Sequence, residues 1–254
     1  MSDLCLPVEV LDHIVGNLHN SKITLRACCL VSKSWTHRIR KHLFAKVEFD
    51  SPVDLQSWKK TFPDPSTSPA HYTKHLSVVF LQSVIATDAE EHGWIPTFCH
   101  VEHFEVHAKG WISDGPPTSF VSFHEFSPAL KTLFVSSAEL PAIFHLAYSF
   151  PRLENLSLKS LEFDAHHDSL RLASSAPPFT GFLKLSSERG INATVNQFLS
   201  LPTGPYFREL ELSWWTGEGI EPVTALVERC CSTLESLVIN RLPGGTFTLH
   251  LHSD

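Results

Sequence analysis

The chain has 254 residues, 43% of them apolar, a formal net charge of −7 and six cysteines. That apolar content suffices for a substantial core, while no apolar run reaches the roughly eighteen residues that a helical membrane span requires. Residues 1–46 carry seven Lys/Arg against three Asp/Glu and the remainder thirteen against twenty-four, so the larger part is a poor polyanion binder and nucleic acid is not expected as a partner.

The opening MSDLCLP has no basic region leading into a hydrophobic stretch, so no secretory signal is expected. Cys5, Cys28, Cys29, Cys99, Cys230 and Cys231 form no C-x-x-C and read as small buried hydrophobes in a reducing compartment, cytoplasm or nucleus. The sequons at Asn155 and Asn192 are then irrelevant to glycosylation.

Residues 6–44 read as three short amphipathic helices. Pro7 suits a first helical turn and Glu9 complements the positive helix start. Val10, Leu11, Ile14, Val15 and Leu18 recur with one apolar face of a roughly 3.6-residue period. After a break at Gly16, Asn17 and 20–22, a second helix carries Leu25, Cys28 and Cys29. Leu30 and Val31 lead to Ser32, a plausible N-cap. A third helix then presents Trp35, Ile39 and Leu43 against a basic side of Lys33, Arg38, Arg40 and Lys41, which reads as a solvated face rather than a nuclear address. A unit this small cannot bury all these apolar groups by itself, so part of its surface needs a partner.

Leu6-Pro7, Glu9-Val10, Ile14, Leu18, Leu30-Val31-Ser32, Trp35 and Leu43-Phe44 together resemble an F-box motif. The resemblance implies a module, residues 1–46, that docks on the Skp adaptor of an SCF-type (Skp, cullin, F-box) ubiquitin ligase through Leu6, Pro7, Val10, Ile14, Leu18, Leu30, Val31 and Trp35. It also implies that the rest of the chain selects a protein substrate. The alternative for the block is a cap over the open end of the domain that follows.

From Phe44 onward the chain repeats an apolar signature, Φ-x-x-Φ-x-Φ, starting at Phe44, Thr73, Val101, Leu130, Leu153, Thr180, Phe207 and Leu234, with intervals of 29, 28, 29, 23, 27, 27 and 27 residues, and residues 47–254 read as one repeat domain. The period falls in the roughly 20 to 29 residues of leucine-rich repeats, each one strand plus a returning helix or loop. Returning helices are expected over 54–62 and 140–150, around Val195–Leu199, and after Pro222. Loops are expected over 64–70, 109–119 and 164–178. A final strand, 246–252, follows Pro243-Gly244-Gly245 and shields the sheet end. Thr73 and Thr180 replace the first apolar position, and the consensus Asn is absent after most strands. The expected fold is therefore a mixed α/β chain: a three-helix F-box followed by an irregular leucine-rich-repeat-like solenoid.

The strongly specific signatures of hydrolases, nucleotide binders and zinc proteases are missing, and Gly217-Glu-Gly219 reads as a loop. Strand alternation puts His103, Glu105 and His107 on one face, with His75 one strand away, where they could hold zinc. The plainer account is a polar stripe on an exposed concave face. His250/His252 and His166-His167-Asp168 are weaker versions of the same pattern. Residues between the apolar positions of each strand face outward, and His75, His103, Glu105, His107, Phe134, Phe182 and, just past a strand, Trp214 and Trp215 are the candidate substrate contacts. No cofactor and no catalysis are expected. The alternative function is a repeat scaffold that binds a partner without a ligase.

Overall fold

A computed structural model describes residues 7–18, 21–31, 33–79, 94–107, 126–137, 143–144, 146–147, 150–160, 179–187, 191–201, 204–214, 220–241 and 245–250. The chain is mixed helix and strand. It opens with helices α1 (Val8–Asn17), α2 (Lys22–Cys29) and α3 (Lys33–Leu43). Ser21 caps α2 by accepting the Thr24 N–H at 3.3 Å, and Arg40, Lys41 and His42 sit at the negative end of α3. Val15, Leu25 and Ile39 form a small core of their own, against which Leu18, Cys28, Cys29, Trp35 and Leu43 pack. An Asp12–Arg38 ion pair ties α1 to α3. Two expectations need correcting: Pro7 is the cap before α1 rather than part of its first turn, and Gly16 and Asn17 remain helical. Ser32 lies outside the described residues.

Only Phe44 and Ala45 separate α3 from β1 (Lys46–Phe49), the first strand of a nine-stranded sheet ordered as in the sequence. The others are β2 (His75–Val79), β3 (His103–His107), β4 (Thr132–Ser136), β5 (Asn155–Lys159), β6 (Phe179–Ser187), β7 (Pro205–Trp214), β8 (Ser236–Arg241) and β9 (Gly245–His250). β1 to β8 pair parallel, and β9 turns back antiparallel on β8. Residues 251 and 252 of the expected last strand lie outside the described set.

Alternate side chains of β2 to β8 enter the core: Leu76/Val78, Phe104/Val106, Leu133/Val135, Leu156/Leu158, Leu183/Leu185, Leu210/Leu212 and Leu237 are buried. Register carries from unit to unit through the residue before each strand. The Ala45 carbonyl accepts the N–H groups of both Lys74 and His75; Lys74 does so for Glu102 and His103, Glu102 for Lys131 and Thr132, and Lys131 for Glu154 and Asn155, all at 2.8–3.0 Å. At Phe182 the pattern is reduced to one bond, from its N–H to the Glu154 carbonyl.

The return path beneath the sheet contains α4 (Pro52–Thr61), helical backbone at Ile143, Phe144, Leu146 and Ala147, α5 (Ile191–Leu199) and α6 (Glu221–Cys230). In α4 the Asp54 carboxylate accepts the Ser51 N–H at 2.8 Å. Phe144, Phe179, Phe198 and Phe207 meet mostly edge-on with centroids 4.9–6.4 Å apart, a geometry favoured by ring quadrupoles.

Residues 64–70, expected as loop, contain 3-10 turns at Pro65–Thr67 and Pro69–Tyr72, the first capped by Asp64. The loops expected over 109–119 and 164–178 lie outside the described residues. Cys230 alone among the described cysteines is buried; Cys28, Cys29 and Cys99 are half-buried and Cys231 is exposed, because it sits past the end of α6. No helix among the described residues is long and apolar enough to cross a membrane.

β6 and β7 run nine and ten residues, against four to six for the other strands. Their pairing shifts after Gly181, which faces Phe207, whereas Phe182 faces Glu209, leaving Arg208 as the extra residue of a bulge. The expectation for Thr180 is corrected here: Phe179 is buried and Thr180 exposed, since the bulge resets the alternation.

Candidate interaction surfaces

The helical unit sorts its apolar residues to two sides. Leu11 and Val15 point inward with Leu25 and Ile39, and Leu18 and Trp35 are half-buried against that small core. Val10 is 42% exposed, Val31 71% and Leu30 89%; Pro7 is exposed and Ile14 half-buried. Of the eight predicted adaptor contacts, Leu6 lies outside the described residues, and Leu18 and Trp35 serve chiefly as internal packing. Ile23, 82% exposed, escapes the sequence pattern. It is two residues before the fully buried Leu25, hence about 200° around the same short helix, and a two-turn helix shows too little periodicity to flag it. Lys22, Arg26 and Lys33 are exposed nearby in sequence.

The sheet's other side is a grid of aligned rows. One row runs Lys46, His75, His103, Thr132, Asn155, Phe182, Glu209, Ser236; the next runs Glu48, Ser77, Glu105, Phe134, Ser157, Lys184, Glu211, Val238. Strands lie only about 4.8 Å apart, so large side chains roof over small neighbours. Ser77 and Ser136 are buried rather than open, and so is the His75 Nε2 atom. That atom approaches Glu105 Oε1 at 3.3 Å without hydrogen-bond geometry.

The imidazoles do not converge. His103 stacks on His75 at 6.0 Å between centroids, while His107 Nδ1 turns to Ser136 Oγ at 2.7 Å and its ring lies against Phe134 at 5.5 Å. Among the described residues no three His, Cys, Asp or Glu side chains are grouped to hold a metal, so the zinc set considered at His75, His103, Glu105 and His107 is not assembled. The His107–Ser136 pair resembles a base with its nucleophile, but the neighbouring Ser137 N–H is already donated to the Lys159 carbonyl at 3.1 Å and is not aimed at a developing oxyanion.

Two lysines on this side are paired with carboxylates. Lys46 holds Glu48 at 2.8 Å and Lys184 holds Glu211 at 2.7 Å. The Lys46 hydrogen bond keeps the Glu48 carboxyl below the usual Glu range and raises the lysine in turn. Phe134 and Phe182 are both half-buried, with rings neither sealed nor fully open. Trp214 ends β7, but its side chain and all of Trp215 lie outside the described residues. Tyr206 and Arg208, exposed on β7, escape the repeat signature because Tyr206 precedes its first apolar position and Arg208 fills one of its unspecified positions; their alternation with buried Phe207 is the signal that marks them.

No protein-family model matches the chain, and no curated protein matches it.

Proposed function

We propose that the chain is a non-enzymatic adaptor: an F-box module, residues 1–46, docks on a Skp-type adaptor and through it a cullin, and a leucine-rich-repeat-like solenoid, residues 47–254, holds a protein substrate. Ubiquitin transfer belongs to other subunits, and what this chain contributes is proximity, which turns a bimolecular encounter into an effectively intramolecular one. Cytoplasm and nucleus are the compartments that suit this role.

The observation that carries the reading is the exposure of Leu30, Val31 and Ile23 on a unit that has already built a core from Val15, Leu25 and Ile39. Large aliphatic side chains left this exposed on one short unit support a site of protein contact. The regular parallel sheet supports the second half of the reading, since it presents side chains from eight strands on one open side.

Co-purification with a Skp-type adaptor tests it. Leu30→Ser with Val31→Ser removes exposed groups only, so adaptor recovery should be lost while the circular dichroism spectrum stays unchanged. Undiminished recovery would refute the docking role and leave a partner-binding scaffold without a ligase.

A further inference from the structure

The interruption of the sheet at β6 and β7 singles out one place on its open side. Everywhere else the strands pair without a shift; only between Gly181 and Phe182 does the register slip among the described pairings. Gly181 holds φ at +86°, a conformation that suits glycine, and its missing side chain lets β6 press against the Glu154 carbonyl. Bulges of this kind re-aim side chains. Here Phe182 stands opposite Glu209, with the extra Arg208 beside it and Tyr206 next along the same strand. Tyr206, Arg208 and Glu209 are exposed and Phe182 is half-buried.

The residue types are those that dominate protein contacts, two aromatics and an arginine. Arg208 forms no ion pair among the described residues, whereas the nearby Glu211 is neutralised by Lys184 at 2.7 Å. A guanidinium with no ion pair among the described residues, on the strand that carries Tyr206 and next in sequence to the residue facing Phe182, complements a carboxylate next to an apolar side chain. Glu209, adjacent and also without an ion pair among the described residues, repels a second anion, and the acidic balance of residues 47–254 extends that repulsion. From this we infer that the β6–β7 bulge anchors an extended protein segment in which a single Asp or Glu neighbours one large apolar residue, and that runs of acidic residues are rejected. This rests on reading the sheet's open side as the substrate-holding surface.

The test uses the full chain and a randomised library of synthetic decapeptides. Binders should be enriched in one Asp or Glu beside Phe, Leu, Ile or Tyr and depleted in acidic runs. Phe182→Ala should weaken the best of them about tenfold or more. Arg208→Glu, at an exposed position that does not endanger folding, should invert the preference from Asp/Glu to Lys/Arg. Absence of binders, binders without an acidic preference, or a preference unchanged by Arg208→Glu would each overturn the inference. Skp-type adaptor recovery is scored separately with Leu30→Ser/Val31→Ser: recovery undiminished by that variant removes the ligase role and leaves the peptide site standing.

Discussion

A Cβ atom on Gly181 would collide with the carbonyl oxygen of Glu154, the same oxygen that accepts the Phe182 N–H at 2.8 Å. The obstacle is backbone, which cannot swing aside as a side chain could. Gly181→Ala should therefore cost about 2 kcal/mol or more, from strain at positive φ together with the collision. Gly16 is the internal control, because a Cβ there meets nothing within 4 Å. Gly16→Ala should stabilise by about 0.5–1 kcal/mol, as expected in a helix. Urea unfolding of both variants checks the opposite signs.

Leu25 and Leu30 are five residues apart and should respond oppositely. Leu25 is fully buried in the small helical core and Leu30 is open to water. Leu25→Ala should destabilise the helical unit by about 2–5 kcal/mol, and Leu30→Ala should change stability by no more than about 0.5 kcal/mol. Amide hydrogen exchange across α1 to α3 reads this directly, with faster exchange expected for the first variant only.

Thr73 is fully buried and its hydroxyl has no hydrogen-bond partner among the described residues. Its N–H bonds to the Ala70 carbonyl at 3.0 Å and is untouched by a side-chain change. Thr73→Val replaces an unsatisfied polar group by a methyl of similar shape and should raise stability by about 1 kcal/mol. A lower melting temperature for this variant would show that the hydroxyl is in fact satisfied.

The Lys74 ammonium, hydrogen-bonded at 2.9 Å, holds the Glu102 carboxyl below its ordinary 4.5, against the opposing effect of burial. A depressed folded-state pKa means that the stabilisation is present above the unfolded value and is lost as pH falls through the folded one. The acid limb below 4.5 is therefore where it disappears. Lys74→Met should return the Glu102 titration, followed by carbon NMR, toward 4.5. Because the lysine is 66% exposed, stability at neutral pH should barely change.

The repeat was legible because strand alternation writes core positions directly into sequence. Leu133 and Val135, or Leu210 and Leu212, are apolar wherever the side chain enters the interior. The helical trio was legible for the same reason at a different period, down to the inward Leu25 and Ile39. What escaped the reading depends on neighbours distant in sequence. Thr180 looked like a degraded signature position because nothing local announces that Gly181 starts a bulge against Arg208. The His75, His103 and His107 stripe looked like a possible ligand set because spacing fixes the face of a side chain but not the partner it turns to. The three rings turn to Glu105, to one another and to Ser136. Ser77 and Ser136 were expected in the open and are covered, since the height of adjacent side chains across a sheet is not a one-dimensional property.

The ring of Phe44 is held edge-on by Trp58 at 5.7 Å and by Phe62 at 5.8 Å, and a few residues earlier His37 Nδ1 meets the Tyr72 hydroxyl at 3.2 Å. A hinge requires residues that can absorb large backbone rotations, and this two-residue joint is clamped on both flanks instead. Among the described residues the helical unit thus meets the first strand unit through packed side chains rather than through an unsupported linker. The placement of α3 beside the first strand is therefore set by ring packing and a side-chain contact, not by the length of the residues that join them.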